Sequence, residues 1–238
     1  MNRVWIATLA AAMFAMSGCE STTRIVARDQ GVFVPSIKAS VNFGRGAEMP
    51  SLPQDGHAIE FEVIRSKGRD NQSLAANESP IKLGGQSFLA PQELRHDFAF
   101  TYADIGWRWR HFFGGGALGL EALAGLGYAG LELGTTSATL QASQGFYTRG
   151  AQGGVGLIWR VQASTSVHLR LTEFASLGEG VSHADRAEVF LNHALARNVT
   201  ARIGYTGWEV NADALPNSSA FRLRFSGPAL GLQFDFGP

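Results

Sequence analysis

Cysteine is almost missing from this chain: Cys19 is the only one in 238 residues, which excludes an intramolecular disulfide. An excess of one charge is missing too. Twenty basic residues balance 20 acidic ones, so the chain offers no electrostatic footprint for nucleic acid. Beyond Cys19 no apolar run approaches the roughly 20 residues that a helix needs to cross a bilayer, which excludes a helical membrane protein. Charged residues are few, at 17%, whereas glycine (29) and phenylalanine (16) are plentiful. That balance suits strands that turn aromatics toward lipid and small residues toward a narrow interior.

The first residues read as an export signal. Arg3 supplies a positive start, Val4 to Met16 form an apolar run too short to span a membrane, and Met16-Ser17-Gly18-Cys19 follows. This ending resembles the bacterial lipobox, with methionine where leucine is commoner. The resemblance implies cleavage after residue 18, acylation of Cys19 and, because Glu20 rather than aspartate comes next, retention at the outer membrane.

The rest of the chain alternates with a period of two, and helical spacing explains it less well. Ile59, Phe61 and Val63 alternate with Glu60 and Glu62; Val167, Leu169 and Leu171 with Ser166, His168, Arg170 and Thr172; Val199, Ala201, Ile203 and Tyr205 with Thr200, Arg202, Gly204 and Thr206. The glycine-rich stretch follows the same rule, with Leu118, Leu120, Ala122, Ala124, Leu126 and Tyr128 on one face and Gly119, Glu121, Gly125 and Gly127 on the other. Two strands change phase midway, near Ala103 to Gly106 and at Ser226-Gly227-Pro228, and the pattern predicts a bulge at each. Connections alternate in length. Short ones fall near 114–116, 162–164 and 196–198, and longer polar ones near 67–92, 134–146, 177–184 and 211–219, as in membrane barrels with short turns on one side.

Gly231-Leu232-Gln233-Phe234-Asp235-Phe236 resembles the last strand of outer-membrane β-barrels, although Gly237 and Pro238 follow the closing aromatic. Over residues 57–236 the chain resembles small barrels of the OmpA-like transmembrane type. The resemblance implies an all-β fold, a closed antiparallel transmembrane barrel, and recognition of the last strand by the barrel-assembly machinery. Counting back from Phe236 predicts about eight strands with both barrel ends in the periplasm. The alternating segment 32–43 makes ten possible, with a partner strand then needed within 80–90. The expected organisation is a signal peptide over 1–18, a linker over 19–56 and a monomeric barrel in outer-membrane lipid over 57–238.

Candidate chemistry is sparse. Glu60, Glu62, Glu121, Arg108, Arg110, Arg160, His168, Arg170, Arg202, Arg222 and Arg224 are expected to line the interior as a paired polar network, because unpaired buried charge is costly. Such a network fills a narrow barrel, or forms a narrow small-solute channel in a wider one. Outer-membrane lipid A deacylases are small barrels with a His-x-Ser pair, but Arg170 stands two residues after His168. The histidines lack metal-ligand spacing, and Gly114-Gly115-Gly116 lacks the lysine and hydroxyl residue of a phosphate loop, so no catalytic, cofactor or metal residue is assigned. Trp107, Trp109, Trp159 and Trp208 are expected as aromatics of the membrane interface. The leading expectation is a structural or surface-interaction barrel lipoprotein. A lipid-modifying hydrolase and a solute channel are the alternatives.

Overall fold

The computed structural model describes residues 24–43, 55–113 and 116–237, so the expected export signal and Cys19 lie outside the described residues. Twelve strands and no α-helix make up the described chain: β1 (Ile25–Gln30), β2 (Val34–Phe43), β3 (Gly56–Leu74), β4 (Ile81–Leu83), β5 (Gln86–Phe88), β6 (Gln92–Phe113), β7 (Leu118–Thr136), β8 (Gln141–Gln162), β9 (Thr165–Ser176), β10 (Val181–Ala196), β11 (Val199–Ala212) and β12 (Phe221–Phe236). Ten of them form one sheet in the order β1-β12-β11-β10-β9-β8-β7-β6-β3-β2, and a further pairing of β12 with β2 brings its strands round in a ring. β4 and β5 form a separate hairpin.

The expected count of about eight strands is corrected by the N-terminal segment. β1 pairs with the first part of β12, Ile25 opposite Phe221, and β2 pairs with its last part, Val34 opposite Ala229. Both pairings are parallel. β1 and β2 are thus one strand position broken at residues 31–33, where the Ser226 carbonyl accepts bonds from the Gly31 and Val32 amides at 2.7 and 3.1 Å. Counting the two as one leaves nine positions from ten strands. An odd ring of strands that alternate in direction must meet itself in parallel, so 81–88 is not required as a tenth staple. The same parity overturns the expectation that both ends of the ring leave on one side. β1 starts at the end opposite to that where β12 finishes.

No bulge lies at either predicted phase change: the pairing of β6 with β3 and β7 is unbroken through Ala103 to Gly106, and that of β12 with β11 through Ser226 to Pro228. The register shifts fall instead at residues 160/162, 181/183 and 194/196. What changes along the strands is the chemistry of each face. In β6, Leu94, His96, Phe98, Phe100, Tyr102, Asp104, Arg108 and Arg110 are all buried on one side, apolar at first and charged later. The opposite side runs from Glu93, Arg95 and Asp97 to Ile105, Trp107 and Trp109. Apolar-versus-polar periodicity therefore slips while the backbone does not.

Strands also reach well into the stretches expected as long connections: β3 continues to Leu74, β7 to Thr136, and β8 begins at Gln141. The connections left on that side are 75–91, 137–140, 177–180 and 213–220. Within 75–91, the hairpin β4–β5 buries Ile81, Leu83 and Phe88 completely against the apolar interior. Backbone bonds hold it to the 213–220 segment, from the Gly85 amide to the Asn217 carbonyl at 2.9 Å and from the Ser219 amide to the Lys82 carbonyl at 2.8 Å.

Candidate functional site

Period-two alternation sends every second residue of each strand to the enclosed face, and there the charged residues of seven strands meet. Glu60 of β3 takes Arg108 of β6 and Arg170 of β9 at 2.6 Å each and Lys38 of β2 at 2.8 Å. Two residues on, Glu62 takes Arg186 of β10 at 2.8 Å, Arg202 of β11 at 3.1 Å and Lys38 at 3.5 Å. Glu121 of β7 joins Arg110 at 2.6 Å to Arg170, and Glu188 joins Arg202 at 3.4 Å to Arg186 at 3.5 Å. The result is a continuous lattice of four carboxylates and six cations, each side chain 6% exposed or less. On β12, Asp235 contacts Ser40 of β2 and accepts Gln233 at 2.8 Å, which carries polar bonding across the parallel seam.

Of the residues expected there, Glu60, Glu62, Arg108, Arg110, Glu121, Arg170 and Arg202 are brought together. Arg222 and Arg224 are placed elsewhere. They lie on the outer face of β12 and pair with Glu209, because the enclosed parity of that strand is the odd one, from Phe221 to Asp235. Arg160 is partly exposed at the edge of the ring, stacked over Phe112 at 4.5 Å. Trp208 is likewise no interface aromatic: it is 4% exposed inside the ring and packs edge-on against Phe100 at 5.0 Å. The sequence pattern does not single out Lys38, Arg186 and Glu188. The available signal was Arg186 and Glu188 alternating with Ala187, Val189 and Leu191, together with Lys38 in the 32–43 alternation.

His168 donates to or accepts from Ser166 at 3.0 Å, on the same strand face. Among the described residues no carboxylate bonds to the imidazole, and Ser166 is only 2% exposed. Among the described residues the pair thus lacks the third group that orients a histidine base, and its hydroxyl side is buried while His168 is partly exposed. His183 stands on the outer face of the neighbouring strand, 2.9 Å from Asp185 and 3.9 Å from Glu173, and is paired with Ala175, well along the strand from Ser166 and His168. Among the described residues, no cluster of histidine, aspartate or glutamate could hold a metal ion.

Beyond the charged lattice the enclosed space turns apolar. Phe98, Phe100, Tyr102, Phe174, Trp208 and Phe225 fill it through tilted and edge-on ring contacts, with Phe146 buried in the same cluster. Arg186 spans the boundary, its guanidinium 5.2 Å from the Trp208 ring and 5.8 Å from that of Tyr102, with Tyr102 donating to Gln152 at 2.6 Å. Several buried polar atoms at this boundary, including Asp104 Oδ2, Gln152 Nε2 and Thr172 Oγ1, have no protein partner, which is where ordered water is expected. No family model matches the chain, and no curated protein and no solved structure matches it.

Proposed function

We propose that the chain is an outer-membrane β-barrel lipoprotein, closed and sealed, that serves as a rigid structural or surface-interaction scaffold and not as a channel or an enzyme. One observation carries this reading: the polarity of the two faces inverts along the strands. Near the short connections the outer face is apolar, with Ile37 61% exposed, Leu126 61%, Val155 62%, Ile203 60% and Leu230 52%, over a charged interior. Past Val63, Ala103 and Tyr128 the outer face becomes polar over an apolar interior. A barrel bathed in water throughout would keep the second arrangement along its whole length.

The apolar belt has a bilayer's height. Leu118 to Tyr128 on β7 covers about 33 Å of chain, and a strand tilt of roughly 40° makes that about 25 Å, the height of the apolar band of outer-membrane barrels. Two seals oppose conduction, the salt-bridged lattice within the belt and the aromatic stack with its hairpin beyond it. Trp107, Trp109 and Trp159 sit in the belt, whereas Trp208 is inside.

In vesicles carrying brominated acyl chains, the belt tryptophans are expected to be quenched, and a Trp208-only variant is expected to stay bright. Compact migration in a detergent gel until the sample is boiled is the companion test of closure. A protein that stays in solution without detergent or lipid and shows no quenching would sink the reading. The hydrolase alternative requires lipid turnover that is lost in Ser166→Ala or His168→Ala, and the channel alternative requires steps of current in a planar bilayer. Acylation is tested by fatty-acid labelling of the wild type against Cys19→Ala.

A further inference from the structure

The polar skin beyond the belt is not uniform round the ring. Neighbouring strands β12, β1, β3 and β6 carry Arg224, Arg28, Arg65, Lys67, Arg69 and Arg95 on the outer face, whereas β7, β9 and β10 carry Glu132, Glu173 and Asp185. Arg65 is the next outward-facing residue after Val63, the last apolar one of its strand, so the basic arc begins about 7 Å of chain beyond the belt.

Part of this charge has no use within the fold. Arg69 and Arg95 bracket Asp97 at 2.6 and 3.3 Å, and Arg224 holds Glu209 at 2.8 Å. Arg28, Arg65 and Lys67 are exposed and make no salt bridge among the described residues. Arg28 also stands directly opposite Arg224 in the parallel pairing of β1 with β12, and like charges facing each other across strands are unfavourable unless an anion lies between them.

We propose that this basic arc binds the phosphorylated headgroups of anionic lipids in the leaflet beside it. The proposal rests on the membrane reading above. Headgroup phosphates lie at the edge of the hydrocarbon, where the arc starts, and each cation near an anionic surface adds attraction that fades with salt. Arginine also presents a planar fork matched to phosphate oxygens. Arg65 and Lys67, two residues apart on the outer face of β3, and Arg28 farther out, its amide 2.6 Å from Asp70 Oδ2, offer several such contacts over adjacent strands, which favours a fixed layer of headgroups over a single free ion.

The test uses the full-length protein in zwitterionic detergent, titrated separately with phosphatidylglycerol, phosphatidylcholine and inorganic phosphate, with occupancy read by native mass spectrometry at low and high ionic strength. Wild type is expected to prefer phosphatidylglycerol by about tenfold or more at low salt, and to lose the preference at high salt. The triple variant Arg28→Gln, Arg65→Gln, Lys67→Gln is expected to bind the two lipids alike, while Arg149→Gln on the acidic side keeps the preference. Boiling-dependent migration checks that the variants are folded. Equal occupancy by both lipids in the wild type overturns the proposal whatever the variants do. Inorganic phosphate binding as tightly as the lipid overturns the assignment to headgroups. Absence of quenching of the belt tryptophans in the brominated vesicles would instead sink the membrane reading, so the two failures are distinguishable.

Discussion

Glu62 shows how one residue ties the interior together. Its carboxylate faces Lys38, Arg186 and Arg202, all buried, so Glu62→Gln leaves cations without a counter-charge in a place with little water. Breaking one partner of a buried pair costs about 3–5 kcal/mol, and a loss of that order is expected in the unfolding free energy measured by urea titration in micelles. Asp97→Asn removes a charge from exposed pairs with Arg69 and Arg95 and is expected to cost about 1 kcal/mol or less in the same assay. Equal losses for the two would contradict the assigned difference in burial. His96, in the extension beyond the apolar belt, makes a prediction about pH. It is fully buried between Thr135 and Gln72, and burial pushes its imidazole down to about 4. The unfolded chain takes up this proton below about 6.5 and the folded one does not, so stability falls as pH drops from about 6.5 to about 4, by up to 1.4 kcal/mol per unit. His96→Gln is expected to flatten that limb of the stability curve, and a ring resonance titrating near 6.5 in the native protein would refute the assignment.

At the scale of the strand, the alternation of Ile59, Phe61 and Val63 with Glu60 and Glu62 made the belt and its lattice readable, because outward-facing and enclosed residues differ there as strongly as side chains can. Past the belt the same alternation was misleading. Phe98, Phe100 and Tyr102 look like outward-facing belt residues and are enclosed, since a polar outer face over an apolar interior reverses the code without moving the backbone. The seam was illegible for another reason: pairing of β1 and β2 with β12 links residues almost 200 positions apart, as Ser40 and Asp235 show, and local pattern carries no information about it. Gly227 tests that seam. A Cβ there would run into the Val32 backbone at the break between β1 and β2, so Gly227→Ala is expected to destabilise by about 1–3 kcal/mol and to lower the temperature at which gel migration changes. A melting temperature unchanged by this substitution would show that the seam is looser than described.

The whole molecule has its two fillings in series, polar within the belt and aromatic beyond it. Removing one should therefore leave the other intact. The double variant Glu62→Ala, Arg186→Ala is expected to remain silent in planar bilayers, because Phe100, Trp208 and Phe225 still close the path and the hairpin covers them. Current steps from that variant would mean that the aromatic layer is not tight.

The parallel meeting of first and last strands also gives the molecule a direction. With the ring spanning a bilayer as proposed, an epitope inserted ahead of Ile25 and another placed after Phe236 would emerge on opposite sides, so on intact cells protease should shave the first and spare the second. Five residues lie between Cys19 and Ile25, at most about 20 Å of chain from one to the other, and an acyl group on that cysteine would be confined to the leaflet next to the polar-skinned end. A shared compartment for both epitopes would mean that the strand tally is even.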